Sequence, residues 1–131
     1  MKTLRILPLL LLLSLAPGCA TLDPKADPVE VRAEQAVSIA FSTFDTFLKL
    51  ELAQEARLKK SAPACVDFAK WLTERQPDGK ARGLSLIESA NNVRRAYKLN
   101  RSPENRASLI SALAAIESAL AETQKQLANA H

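Results

Sequence analysis

The sequence predicts an all-α fold: an elongated three-helix up-down-up bundle whose middle helix is broken or kinked near Pro77–Gly79. Three observations lead there. Glycine occurs only three times and β-branched residues are scattered, while Ala, Leu, Glu, Lys, Arg and Gln, all strong helix formers, dominate. Apolar residues recur at helical spacing over long stretches, and no alternating run of strand length stands out. Pro follows a capping residue at Asp27-Pro28 and again at Ser102-Pro103, the signature of a helix start.

The first helix starts at about Asp27, with an N-cap acid, Pro at the first helical position and Glu30 soon after, where an acid suits the helix dipole. Val37, Ala40, Phe41, Phe44, Phe47, Leu48, Leu52 and Ala56 then supply its apolar face, and Lys59 and Lys60 close it. The rings of Phe41, Phe44 and Phe47 are expected in the core. At three-residue spacing they sweep about 60° round the helix per step, enough to turn one ring toward solvent.

The second helix comes in two pieces. Residues 63–75 carry Val66, Phe68, Ala69, Trp71 and Leu72, and about 80–99 carry Leu86, Ala90, Val93 and Tyr97. Between them Gln76-Pro77-Asp78-Gly79 is a turn signature, readable as a kink or as a true loop. In the third helix Leu109, Leu113, Ile116, Leu120 and Leu127 form a coiled-coil-like seam, with Thr123 filling the missing step.

Ahead of the bundle, residues 1–18 read as an export signal. Lys2 and Arg5 give a positive start, and Ile6–Ala16 is an apolar core too short for a membrane-spanning helix. Residues 19–27, with Pro24 and two aspartates, form a short tether, and residues 28–131 the helical domain. The positive end stays cytoplasmic, and the chain beyond the apolar core crosses the membrane.

The run Leu15-Ala16-Pro17-Gly18-Cys19 resembles the lipobox of bacterial lipoproteins, with a small residue directly before an accessible thiol. That resemblance implies a lipid on Cys19 and a cut just before it. Ala20, in the place of an aspartate, implies outer-membrane rather than inner-membrane sorting, facing the periplasm. A cut after Ala20, using Gly18 and Ala20 as the small pair, is the competing reading of the same residues. The mature part is similar in layout to small all-helical lipoproteins of bacteria and prophages, through its Cys-Ala start, its Asp-Pro tether, Glu34-Gln35, and Arg94 to Tyr97 before a last Ala-rich helix.

Charge is unevenly spread. The formal net charge is +4, part of it in the leader. From Cys19 to Ala56 acids predominate, whereas from Arg57 to Arg106 there are twelve basic residues against five acidic. Arg94, Arg95, Lys98, Arg101 and Arg106 cluster around the second helix–helix turn. They are a candidate contact with an anionic surface, either anionic lipid or peptidoglycan. Export argues against nucleic acid.

Chemistry is sparsely signalled. The sole histidine is His131, Cys65 has no CxxC partner, and no GxSxG occurs. Glu51 and Glu55 sit four apart and read as a solvated helix face. Cys65 reads as a small buried residue. The expectation is therefore no enzyme, no cofactor and no metal. The expected role is that of a membrane-anchored accessory or assembly factor bound to an unidentified periplasmic protein. The alternative is an envelope spacer whose basic end touches lipid or peptidoglycan. A homo-oligomer is compatible with either.

Overall fold

The computed structural model describes residues 26–131, and four helices account for most of them: α1 (Pro28–Ser61), α2 (Pro63–Thr73), α3 (Arg82–Leu99) and α4 (Pro103–Asn129). The leader, Cys19 and all but the end of the tether lie outside the described residues. The all-α expectation holds, but the helix count does not. The middle member of the expected three is two separate helices.

Local chemistry explains each break. The Asp27 carboxylate accepts from the Val29 backbone N–H at 2.9 Å, capping α1. Pro63 cannot donate to α1 and keeps the residue before it out of helical backbone, so Ala62 (φ −149°, ψ 66°) separates α1 from α2. Between α2 and α3 the Pro77–Gly79 segment is a hydrogen-bonded loop rather than a kink. Gly79 takes φ +80°, its N–H reaches the Gln76 carbonyl at 2.8 Å, and Arg75 pairs with Ala81 across the loop. The Asp78 carboxylate accepts from Lys80 N–H (2.9 Å) and Ser85 Oγ–H (2.7 Å), fixing the loop to the start of α3. Ser102 Oγ accepts from Asn105 N–H at 3.1 Å and caps α4.

Side-chain pairs give the course of the chain. Arg32 forks onto Glu117 (2.8 and 2.9 Å), and Arg57 donates to the Ala130 carbonyl at 2.5 Å, so α1 and α4 run in the same direction. Helices α2 and α3 return between them, α2 along the C-terminal half of α1 and α3 along its N-terminal half. Helix α1 bends at Gln54, whose φ/ψ of −123°/17° leave the helical region. No Pro or Gly stands there; the Gln54 side chain instead accepts from Arg57 Nε at 3.0 Å.

The core lies where α1 meets α4 over the returning pair. Phe44, Phe47, Leu58, Leu72, Leu109 and Ile116 are buried, with alanines at 33, 36, 40, 90 and 119 letting the helices approach closely. Thr123 is buried as its place in the seam requires, its hydroxyl donating to the Ala119 carbonyl at 2.7 Å. Gly83 is also needed for close approach. A Cβ there would stand 3.3 Å from the Phe44 ring and 3.4 Å from the Leu72 side chain. No described helix is long and apolar enough to cross a membrane.

Candidate functional site

One side of α1 is apolar but uncovered. Phe41, Leu48 and Leu52 follow at intervals of seven and four residues, a stripe beside the core-facing one. Phe41 is 65% exposed and Leu52 is 74% exposed. Leu72 at the end of α2 and Gly83, Leu84 and Ile87 at the start of α3 form the facing wall of a cavity of about 180 Å³, with Phe41, Phe44 and Leu48 opposite. The stripe continues into a second depression of about 280 Å³ bounded by Glu51, Leu52, Val66 and Lys70. Leu48 lines both, so they form one groove between α1 and the α2–α3 pair.

Three carboxylates mark the groove's polar edge: Asp45, paired with Lys49 at 2.7 Å, then Glu51 and Glu55. Glu55 is paired with Lys59 at 2.6 Å, which holds its carboxyl below the ordinary range. Glu51 makes no ion pair among the described residues. Partial burial, with Glu55 close by, pushes its carboxyl upward. A carboxylate in that position gains from an incoming cation or hydrogen-bond donor.

A second opening, between α2–α3 and α4, is about 800 Å³ but shallow, lined by Ala115, Ser118, Ala119 and Ala121 beside Phe68 and Trp71. Trp71 stacks on Phe68 (5.4 Å, 16°) and lies under the Arg82 guanidinium at 4.7 Å. Both contacts engage the Trp71 ring, which is still 38% exposed, whereas Phe41 and Leu52 of the groove are barer.

The five basic residues expected to meet an anionic surface do come together, at the end of the bundle where α1 begins. Three of them face the acids of α1. Arg101 meets Glu30 at 2.7 Å, Arg106 meets Asp27 at 3.4 Å, and Arg94 lies 3.9 Å from Glu34. The acidic and basic halves of the sequence thus largely answer one another. Arg95 and Lys98 are exposed and make no ion pair among the described residues. Such part-exposed pairs contribute only about 0–1 kcal/mol each.

Asp27 is the centre of this cluster. The Tyr97 hydroxyl donates to it at 2.5 Å, and with the Val29 N–H and Arg106 it holds the Asp27 carboxyl below its ordinary value. A carboxylate with a depressed folded pKa contributes stability that is fully present above its unfolded value, about 3.9, and is lost as pH falls through the folded one. We expect Asp27→Ala to lower stability by about 1–2 kcal/mol at pH 7, mostly through the lost cap. The difference from the parent protein should shrink below pH 4. Urea midpoints of both proteins at pH 7 and pH 3 check this, and a gap that widens in acid would contradict it.

Cys65 is buried at the start of α2. Its thiol lies 3.3 Å from Gln126 Oε1 and 3.4 Å from the Gln126 carbonyl, and burial pushes it up, away from the reactive thiolate. Among the described residues no group of three or more His, Cys, Asp or Glu is placed to hold a metal.

Sequence reasoning expected one outward ring in the Phe41–Phe44–Phe47 series, which is Phe41, but missed the groove it belongs to. Phe41, Leu48 and Leu52 look like core because their spacing is helical. The signal that could have found it is the width of the apolar arc on α1, broader than one buried face needs. No family model, curated protein or solved structure matches this chain.

Proposed function

We propose that this chain is a lipid-anchored periplasmic accessory protein, held at the outer membrane through Cys19, that binds a partner protein without catalysing a reaction. The observation that carries the binding part is the open groove of Phe41, Leu48, Leu52 and Leu84. Folding gains most from covering large apolar side chains, at roughly 25 cal/mol per Å², yet Phe41, Leu52 and Leu84 along this groove stay exposed. Exposed, contiguous apolar surface of this kind marks an interaction site more often than chance. The groove's geometry suits an apolar helix of about three turns, the length of α1 between Phe41 and Leu52. The anchor part is supported by the leader and the Leu15–Cys19 run.

The test is photo-crosslinking in intact cells from positions 41, 84 and 110. Positions 41 and 84 should give the same adduct, and position 110, an exposed isoleucine on α4, should not. Leu52→Asp should reduce the adduct at both groove positions at least fivefold. Equal labelling from position 110, or an adduct unmoved by Leu52→Asp, defeats the proposal.

A further inference from the structure

We infer that the α3–α4 turn is a membrane-contacting tip, with Leu99 entering the headgroup region of an anionic phospholipid bilayer and Arg95 and Lys98 lying on its surface. Leu99, the last residue of α3, is 89% exposed, more than any other large apolar side chain described. Nothing in the bundle explains that exposure. Its position does. Tyr97 and Arg106 both reach Asp27, and Arg101 reaches Glu30, so this turn lies beside the first residues of α1.

Asp27 is also where the tether arrives. It is only the eighth residue after Cys19. At about 3.3–3.6 Å per residue the intervening chain extends no more than roughly 29 Å. A lipid on Cys19 therefore brings this end of the bundle, and not the opposite one, to the bilayer. The inference rests on the anchor proposed above.

Charge agrees with that placement, though it supplies the smaller share. Arg101 and Arg106 are engaged with Glu30 and Asp27, and Glu104 is an exposed acid in the first turn of α4. Arg95 and Lys98 are the cations left to meet phosphate. Two cations beside one acid attract an anionic surface weakly. A weak contact suffices here, because the anchor holds the tip within reach and raises its effective concentration at the surface. Leucine and long cationic side chains are well suited to such an interface, since the apolar part sinks while the charged head stays wet.

The full chain, recovered with its native N-terminus and placed in nanodiscs, provides the test. Discs of zwitterionic lipid and discs containing anionic phosphatidylglycerol should be compared by hydrogen exchange at residues 97–102. In anionic discs these amides should exchange about tenfold more slowly than in detergent, and less slowly in zwitterionic discs. Leu99→Ser should remove most of that protection, whereas Ile110→Ser should leave it unchanged. Both sites are on the surface, so neither variant threatens the fold. A chain that stays with the discs but shows no bilayer-dependent protection at residues 97–102 overturns the tip and spares the anchor. So does protection unchanged by Leu99→Ser. A chain that does not stay with the discs at all overturns both.

Discussion

Phe47→Ala should lower the stability of the bundle by about 4 kcal/mol, the range for removing a buried phenyl ring without refilling its space. Phe47 is 1% exposed and meets Phe68 across the α1–α2 interface, with ring centroids 5.5 Å apart at 56°. Its ring ties the short α2 to α1, so removing it loosens the element with the fewest other attachments. A domain of this size has only about 5–15 kcal/mol of stability. At roughly 4–8 °C per kcal/mol, the melting temperature should fall by about 20 °C. Phe41→Ala, earlier in the same three-residue ring series, should cost well under 1 kcal/mol, because its ring already meets solvent. Thermal unfolding of both variants checks the pair, and similar losses from the two would show that the groove is not open.

Cys19→Ser should abolish lipidation completely. Each buried methylene contributes about 0.8 kcal/mol, and stable anchoring takes more than one chain, so the proposed anchor's membrane retention depends on the acyl groups added at that one cysteine. The parent protein should give an acylated N-terminal peptide beginning at Cys19, and the variant should give none and retain its leader. The leader's apolar core, Ile6–Ala16, extends only about 16 Å as a helix, against roughly 30 Å of hydrocarbon. The variant should therefore wash from membranes in alkaline carbonate where the parent does not. Mass spectrometry of the N-terminal peptide with fractionation decides it. A parent chain beginning at Thr21 with no added mass would show that the cut follows Ala20 and that no lipid is present.

The helices were legible wherever a local rule acts alone. Asp27-Pro28 and Ser102-Pro103 announced two starts, Lys59-Lys60 and Pro63 a stop, and the Leu109–Leu127 spacing a buried seam with Thr123 inside it. The loop at Pro77–Gly79 was legible as a turn, with kink and complete break left as alternatives. Its closure depends on Asp78 reaching Ser85 and on Arg75 pairing with Ala81, contacts that local propensity does not encode. The kink at Gln54 carried no Pro or Gly to announce it. The basic cluster was legible as a cluster. Its partial neutralisation was not, because Glu30 and Asp27 are some seventy residues away in the chain and meet Arg101 and Arg106 only after α1 and α4 align. The groove was the least legible feature. An apolar residue at helical spacing looks the same in sequence whether or not a neighbour covers it, and only the three-dimensional arrangement of α2 and α3 leaves Phe41 and Leu52 bare.

The hydrogen bond from Arg57 to the Ala130 carbonyl fastens the final turn of α4 beside the joint between α1 and α2. The polypeptide thus enters at one pole and finishes at the other, about 40 Å away along the 27 residues of α4. His131 projects outward beyond a buried Ala130. An affinity handle or fluorescent reporter appended after His131 would consequently sit at the pole opposite the start of α1, away from the α3–α4 turn and, under the proposed anchor, away from the bilayer.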